Sequence, residues 1–408
     1  MQMLRILVLL REEKTMTKAK RIGITVLAAV MLGLIAFSIT SRFSVSASEA
    51  IEAEDMSLKG AKSALLMDYH TGTVVFEKDP LERMPIASMV KIMTLNIIFD
   101  EIAAGNVSLE TEITAGANAT AMGGSQAFLD TNDVYNLSDL IQTIVVASAN
   151  DACVAVAEHI SGSVHDFVAR MNEKAALLGM NDTNFANCTG LPAVGAYSCA
   201  KDVGIMTKEL LKHDGFYNYS KIWMYDLLHP SGRTTALSNT NKLLRAYEGC
   251  DGGKTGFTNE AMYCLSATAK RGNTRLISVV MGANTSKERN AMNAKLFNYG
   301  FANYDTRALV LKGQTGAAEA VAVERGKESA VGIVPNNDLY YFGKKGKLDI
   351  SFESTAANLR APVTEQQEVG ELIVKVNGEE VGRVGLVTVG SVAKKTYLDT
   401  INDVVGAW

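Results

Sequence analysis

The stretch Pro85-Ile86-Ala87-Ser88-Met89-Val90-Lys91-Ile92-Met93-Thr94 decides the fold, because an apolar run here carries a serine and, three positions later, a lysine. In a helix three residues make about one turn, so the Ser88 hydroxyl and the Lys91 amine would share a face. A lysine kept neutral beside a serine can act as its base. A capping serine and a lysine that reaches out to water explain the run equally well, so the stretch alone leaves both interpretations open.

The spacing Ser-x-x-Lys is too common to decide between them, since the chain contains it at Ser88/Lys91, Ser198/Lys201 and Ser391/Lys394. The second and third matches stand where helices are predicted to begin, so helix capping by Ser198 and Ser391 accounts for them. The first match needs a further criterion.

Two other motifs supply that criterion. Ser148-Ala149-Asn150 is the sole Ser-x-Asn of the chain, and Lys254-Thr255-Gly256 is the sole Lys-Thr-Gly. Ser88 alone among the candidate serines precedes both motifs. Ser-x-x-Lys, a Ser-x-Asn-type element and Lys-Thr-Gly, in this order, form the signature of class A β-lactamases and penicillin-binding proteins. Each motif alone is more often a turn, a cap or an edge strand, but together they indicate a catalytic serine.

The surroundings of the motifs agree with this interpretation. Ser88 is predicted to begin a helix, where the helix dipole favours negative charge near its backbone N–H. The glycine-rich segment 251–257 leads into a predicted strand, and its glycines allow a ligand to approach the backbone closely.

Composition and charge limit which other classes of function the chain can have. The 408 residues are 47% hydrophobic and 21% charged, which is typical of globular chains of two or three domains. The formal charge of -4 argues against general nucleic-acid binding, which needs a basic surplus. Neither the five cysteines nor the five histidines show metal-ligand spacing, so we expect no metal and no cofactor. The cysteines are expected to be mainly buried and apolar, with a Cys188–Cys199 disulfide as the alternative.

The N-terminal segment 1–47 is predicted to be a secretory signal. Basic residues precede an uncharged apolar run over 22–40, and small residues follow up to Ala47, where cleavage is expected. The apolar run is almost long enough to span a bilayer, so an uncleaved anchor is the alternative. Either way, the remainder of the chain is expected to be exported and to act at the extracytoplasmic face of a bacterial membrane or in the cell wall.

Residues 48–304 are predicted to form an α+β domain, an antiparallel sheet with helices. The expected elements are a hairpin over 64–76, helices over 88–104 and 137–146, a further run of helix formers over 151–159, helices over 200–213 (with Ser198 as its N-cap) and 290–299 (ending at Gly300), and paired strands over 262–269 and 274–281.

Residues 305–390 are predicted to form a small all-β domain. Helical periodicity disappears there, and short alternating runs flank Asn377-Gly378, a strong hairpin turn signal. The final segment 391–408 is predicted to be an amphipathic helix. Its apolar stripe favours either peripheral membrane contact or packing on the β domain.

The chain as a whole resembles the low-molecular-mass penicillin-binding proteins, and more narrowly the serine D-alanyl-D-alanine carboxypeptidases. The resemblance extends from the opening hairpin through the three motifs to the β domain and the terminal stripe. It implies a serine β-lactamase/transpeptidase-like fold and removal of the terminal D-alanine from peptidoglycan stem peptides ending in D-Ala-D-Ala, through an acyl-enzyme. It also implies that penicillins acylate the same serine.

The resemblance further implies a role for each motif residue. Ser88 would be the nucleophile and Lys91 its base, with a pKa lowered by burial and by the charge of Lys254. Ser148 would relay a proton to the leaving amine, and Asn150 would position the peptide. Lys254 and Thr255 of Lys254-Thr255-Gly256 would hold the terminal carboxylate, and the backbone N–H groups of Ser88 and Phe257 would form the oxyanion hole.

Two departures from the family pattern affect carboxylate binding. Asn284 stands where some relatives carry an arginine, and Thr240 stands where some have an arginine between two asparagines. Carboxylate binding would then depend more on Lys254 and Thr255, with Arg245 as a further candidate.

Three other functions share part of this sequence pattern. A class A β-lactamase needs a deacylating glutamate, and the segment 180–191 contains none, which argues against that enzyme. A wall-binding protein with a dead site conflicts with the intact motifs. A D,D-endopeptidase is chemically close to a carboxypeptidase and remains an alternative.

Overall fold

A computed structural model of the chain describes residues 58–314, 316 and 320–406. The predicted signal segment 1–47 and the last residue of the predicted terminal stripe, Trp408, lie outside the described residues.

The first part of the described chain is built on a five-stranded antiparallel sheet. The strands lie in the order β2-β1-β9-β8-β7: β1 Ser63–Asp68, β2 Val74–Lys78, β7 Cys250–Thr258, β8 Met262–Arg271 and β9 Thr274–Ala283. Every residue of β9 is buried, because this central strand is covered on both faces. The predicted hairpin and the predicted pair of strands are confirmed. The Lys-Thr-Gly motif lies within β7 itself, at an open edge of the sheet, and does not merely lead into a strand.

Helices cover the two faces of this sheet. The larger core cluster joins one face to most of the helices, and a second cluster joins the other face to the long helix Ser286–Asn303. The helices are α1 Lys91–Ala103, α2 Ala117–Thr120, α3 Leu137–Val146, α4 Asn150–Ser161, α5 Val164–Leu177, α6 Ala200–Leu210, α7 Tyr217–Ser220, α8 Leu243–Ala246 and α9 Ser286–Asn303. Two short antiparallel pairs accompany them, β3 Glu112–Thr114 with β4 Val134–Asn136 and β5 Met224–Leu228 with β6 Thr234–Ser238.

The predicted helix over 137–146 is confirmed as α3, and the predicted run of helix formers over 151–159 lies within α4, which begins at Asn150. Two helix predictions, 200–213 and 290–299, were wrong in their boundaries. Helix α6 ends at Leu210, before the predicted end at residue 213. Helix α9 begins at Ser286, before the predicted start at residue 290, and continues past Gly300 to Asn303. A Cβ on Gly300 would lie 2.5 Å from the Leu276 side chain, so this glycine allows α9 to pack closely on the sheet.

The prediction that Ser198 caps a helix was also wrong. The N-cap of α6 is Cys199, and the Ser198 hydroxyl instead forms a 2.8 Å hydrogen bond with the Thr183 hydroxyl. The Ser198 backbone pairs with Met84 in an isolated bridge. All five cysteines are free thiols, so the alternative Cys188–Cys199 disulfide is not formed.

After α9 the chain forms the predicted all-β domain. Its six-stranded sheet has the order β14-β16-β17-β12-β11-β15, and β10 pairs with β13. The strands are β10 Tyr304–Val310, β11 Ala320–Glu324, β12 Ala330–Pro335, β13 Leu339–Lys344, β14 Ile350–Ser354, β15 Leu359–Arg360, β16 Glu368–Val376 and β17 Glu379–Thr388. Asn377 and Gly378 both have positive φ, as a two-residue type I′ turn requires, so the predicted hairpin is confirmed. The Thr306 hydroxyl donates to Asp68 and so ties this domain to β1.

The terminal segment differs from the prediction at its start. Val392 and Lys394 form isolated bridges with the β domain, and helix α10 covers only Tyr397–Gly406. Thr396 caps it: the Asp399 N–H donates to the Thr396 hydroxyl, and the Thr396 N–H donates to the Asp399 carboxylate. Ser391 is therefore not the helix cap.

Four apolar side chains of α10 are not covered by the β domain. Tyr397 and Leu398 are 81% and 71% exposed, and Ile401 and Val405 are also exposed. These four side chains therefore do not pack on the β domain, which argues against one of the two predicted alternatives. Within the described ranges no helix is both long and apolar enough to cross a membrane.

Candidate active site

The nucleophile segment is a tight turn that other elements hold in place. Residues 87–90 form a 3₁₀ turn that runs directly into α1, and Ala87 has a φ of 47°, in the left-handed region. A non-glycine residue there is strained and persists only where its surroundings fix it. Gly256 of β7 supplies one such contact, since a Cβ on it would lie 2.5 Å from the Ile86 carbonyl oxygen. Ser88 thus sits on a backbone whose shape depends on close packing.

Lys91 is completely buried, and its amine is surrounded by oxygen atoms. Nζ donates to the Thr189 carbonyl at 2.5 Å and to Asn150 Oδ1 at 2.7 Å, and it lies 3.1 Å from Ser88 Oγ. The first two acceptors take N–H bonds in either protonation state. A neutral amine then directs its remaining position, the lone pair, toward Ser88. This arrangement can remove a proton from the Ser88 hydroxyl.

The two buried lysines of the site both resist protonation. Burial lowers the pKa of Lys91. Burial, followed by the positive charge of Lys91, holds the pKa of Lys254 well below its usual value. The sequence predicted a lowered pKa for Lys91, and the structure agrees with that direction. Burial of the amine is the main cause. Because the repulsion between the two amines is mutual, the pair holds one proton more readily than two.

Ser148 lies in the break between α3 and α4. Its φ is 63°, and its buried hydroxyl oxygen has no hydrogen-bond partner in the described part of the chain. Both features are costly, because left-handed backbone is strained for serine and an unpaired buried hydroxyl has lost its water. Both features are explained if the Ser148 hydroxyl forms its hydrogen bond with a bound substrate.

Asn150 connects the site to a neighbouring loop. Its side-chain amide donates to the Gly123 carbonyl at 2.7 Å, and its backbone N–H donates to the Ser125 carbonyl at 2.7 Å. The next residue, Asp151, accepts N–H bonds from Ala127 and Leu129. The amide oxygen of Asn150 is thereby aimed at Lys91.

Strand β7 forms the other wall of the site. Lys254 and Thr255 are buried, and Thr255 Oγ1 donates to Thr240 Oγ1 at 2.7 Å. Thr240, the residue that departs from the family pattern, thus orients the Thr255 hydroxyl. The exposed Arg245 instead stacks on Trp223, with its guanidinium carbon 5.2 Å from the ring centroid.

Phe257 directly follows Lys254-Thr255-Gly256 and is exposed to solvent. Its side chain is 52% exposed and packs on Tyr263, with the ring centroids 4.4 Å apart. The structure therefore places Lys91 within hydrogen-bond distance of both Ser88 and Asn150 and shows how β7 packs on the turn before Ser88. The residues that sequence reasoning missed act through the backbone: Thr189 and Gly123 contribute carbonyl oxygens, for which the side-chain sequence carries no signal.

A sequence model described as D-alanyl-D-alanine carboxypeptidase matches residues 49–285, and one described as the C-terminal domain of penicillin-binding protein 5 matches residues 304–394. The chain belongs to the D-alanyl-D-alanine carboxypeptidase family of serine peptidases. The first match covers more than half of the chain and contains all three motifs. The predicted domain bounds, 48–304 and 305–390, stay predictions beside these ranges.

Individual relatives agree with this assignment. D-alanyl-D-alanine carboxypeptidase DacF of Bacillus subtilis is 38% identical over 351 residues, which are 85% of this chain and 90% of that protein. DacC of Escherichia coli is 30% identical over 88% of this chain and 90% of its own length. The crystal structure of penicillin-binding protein 5 from Haemophilus influenzae superposes with a TM-score of 0.67 at 31% identity and covers 82% of this chain and 98% of that one. The predicted fold class and carboxypeptidase activity are confirmed.

No group of three or more metal-ligating side chains comes together among the described residues. The chemistry available at the site is that of a serine, two lysines and their hydrogen-bond partners.

Proposed function

We propose that the chain removes the terminal D-alanine from peptidoglycan stem peptides through an acyl-enzyme formed on Ser88. The observation that supports this proposal most strongly is the position of Lys91 Nζ. Two oxygen acceptors hold it in place beside Ser88 Oγ. Ser88 would attack the carbonyl of the penultimate D-alanine and pass its proton to Lys91. The backbone N–H groups of Ser88 and Phe257 would stabilise the oxyanion.

The remaining motif residues would complete the reaction. As the C–N bond breaks, the unpaired Ser148 hydroxyl would relay the proton to the amine of the departing D-alanine. The substrate's terminal carboxylate would keep Lys254 protonated, with Thr255 as its second partner, and a water would then hydrolyse the ester at Ser88. A peptide added antiparallel to the open edge of β7 would place its carboxylate at Lys254 and its acyl side beyond Phe257.

Labelled penicillin together with a peptide ending in D-Ala-D-Ala tests this proposal. We expect a stable adduct on Ser88 and release of one D-alanine per peptide, both lost in Ser88→Ala. A cross-linked stem dimer should turn over much more slowly than the linear peptide if the enzyme is a carboxypeptidase rather than an endopeptidase. Rapid turnover of penicillin without release of D-alanine would contradict the proposal, and retained labelling of Ser88→Ala would contradict the choice of serine.

We further propose that the enzyme is exported and acts at the extracytoplasmic face of the membrane, with α10 in contact with the lipid surface. The exposed apolar side chains of Tyr397, Leu398, Ile401 and Val405 support this proposal.

A further inference from the structure

A preformed cleft of about 360 Å³ opens beside the nucleophile turn. It lies between residues 85–90, the loop 184–197 and the end of β7, and its lining excludes Ser88, Lys91, Ser148 and Lys254. Most of its lining is apolar, including Ile86, Val90 and Phe185. The cleft thus adjoins the turn that carries Ser88, through Ala87 and Val90, but is not part of the machinery described above.

The loop that forms one wall is held rigidly. Asn187 Oδ1 accepts N–H bonds from Thr189 and Gly190, and Asn187 Nδ2 donates to the Leu191 carbonyl at 2.8 Å. Asn184 Nδ2 donates to the Gly195 carbonyl at 2.8 Å. Because these bonds fix the loop, a ligand would find the cleft already shaped.

One carboxylate faces this largely apolar space. Glu260 lines the cleft from the turn that follows β7, and the Ala261 N–H donates to Thr258 Oγ1 to fix that turn. Within the part of the chain that the structure describes, no lysine, arginine or histidine forms an ion pair with Glu260. An aliphatic chain that ends in a cation would satisfy both the apolar lining and the free carboxylate.

The direction of the bound peptide indicates which group reaches this place. If the terminal carboxylate lies at Lys254, an antiparallel peptide runs past Phe257 toward Thr258 and Glu260 on its acyl side. An extended peptide advances about 3.3 Å per residue. The residue before D-Ala-D-Ala therefore lies opposite the end of β7, and a long side chain there can enter the cleft.

We propose that this cleft is a specificity subsite for a side-chain amine on the residue that precedes D-Ala-D-Ala, with Glu260 as its partner. The inference rests on the proposed function. It means that the enzyme selects stem peptides whose side-chain amine is free over those in which a cross-link has acylated that amine. Glu260 is a specificity-determining residue here and takes no part in the chemical steps.

Two tripeptides test the inference: Nα-acetyl-Lys-D-Ala-D-Ala with a free side-chain amine, and the same peptide with Nε acetylated. For the unaltered enzyme we expect kcat/KM to favour the free amine by about three- to fivefold, which is the scale of an exposed ion pair. The preference should shrink in 0.5 M NaCl because salt screens exposed charges. In Glu260→Gln the preference should disappear, and in Glu260→Lys it should reverse. Glu248→Gln removes an exposed charge near the other end of β7 and should keep the preference.

Equal turnover of both peptides by the unaltered enzyme, or a preference that survives in Glu260→Gln, would overturn the inference while leaving the proposed carboxypeptidase function intact. Release of D-alanine from neither peptide would overturn the proposed function, and the subsite with it.

Discussion

Gly190 lies against the backbone of Ala87, so closely that a Cβ on Gly190 would stand 2.0 Å from the Ala87 carbonyl oxygen. Its φ of 84° is also one that residues with a side chain avoid. The loop that contributes the Thr189 carbonyl to Lys91 therefore packs directly on the turn that carries Ser88. This contact couples the position of the nucleophile to that of its base.

We expect Gly190→Ala to displace the turn and slow acylation of Ser88 by labelled penicillin by at least about tenfold. The backbone strain costs about 1–2 kcal/mol, and the overlap with Ala87 adds about 1–3 kcal/mol. Thermal unfolding should report the loss of stability. Gly195→Ala is the matched control, because Gly195 has a φ of 79° but its nearest neighbour would be 3.9 Å from the added Cβ. If both variants acylate equally slowly, strain alone is responsible and the contact with Ala87 is unimportant.

Asn150→Asp should move the pH dependence of acylation. The base must be neutral to accept a proton, so the acylation rate rises with pH through the pKa of Lys91, which burial lowers. A carboxylate in place of Asn150 Oδ1, 2.7 Å from Nζ, would stabilise the ammonium form and raise that pKa. We expect the rising limb of the pH–rate profile to move up by about 1–2 pH units.

The control for this variant is Asn150→Ala, which also loses the bond to Gly123 but adds no charge. It should slow acylation without moving the limb upward. An unchanged limb in Asn150→Asp would mean that Lys91 is not the group whose titration limits the rate.

Much of this site could be read from the sequence because its side chains stand in three short motifs whose order is informative. Ser88, Lys91 and Asn150 were predicted on that ground, and the structure places them within hydrogen-bond distance. The carbonyl of Thr189 could not be predicted, since any residue carries a carbonyl. The fold that brings it to Lys91 depends on Gly190, whose role becomes visible only when its neighbours are known.

The wrong predictions share a physical cause. Ser198 and Gly300 were assigned to helix ends from local preference, but tertiary contacts decided both positions. Thr183 bonds the Ser198 hydroxyl, and Leu276 packs on Gly300. The predicted helical runs end at Val146 and resume at Asp151, but nothing in the sequence indicates the left-handed backbone of Ser148 between them. In contrast, the hairpin predicted at Asn377-Gly378 was correct, because the two residues of a type I′ turn determine its conformation by themselves.

Ser148→Ala should separate activity from stability. The hydroxyl is buried without a partner, so its removal breaks no bond in the free enzyme and should leave the melting temperature equal or slightly higher. Loss of the proposed proton relay should lower the acylation rate by about 10²–10⁴-fold. Ser220→Ala is the contrast, because the Ser220 hydroxyl donates to the Asp251 carbonyl at 2.6 Å; it should lose about 1 kcal/mol of stability and keep most of its activity. Rapid acylation by Ser148→Ala would exclude the relay.

Lys254→Met should stabilise the protein while abolishing carboxylate binding. Burial holds the pKa of Lys254 well below its usual value, so the unfolded state binds more protons between the folded and unfolded pKa values. The stability of the unaltered enzyme therefore rises with pH across that window. Methionine removes the buried amine, and we expect a gain of about 0.5–2 kcal/mol at pH 7 with a shallower rise toward pH 10. Chemical denaturation at several pH values measures the free energy of unfolding and its dependence on pH. Lys270→Met, at an exposed lysine, is the control. A loss of stability in Lys254→Met would show that the amine is better satisfied than its surroundings indicate.

Removal of α10 should affect membrane binding alone. The Lys327–Asp399 ion pair at 3.5 Å joins the helix to the β domain, and the apolar side chains of Leu398, Ile401 and Val405 face solvent. Deleting residues 397–408 should therefore leave acylation of Ser88 and the melting temperature unchanged but abolish sedimentation with lipid vesicles. A variant with Leu398, Ile401 and Val405 replaced by serine keeps the helix cap at Thr396 and should lose vesicle binding to the same extent. If the deletion variant still sediments with vesicles, another surface binds the lipid and the proposed role of α10 is wrong.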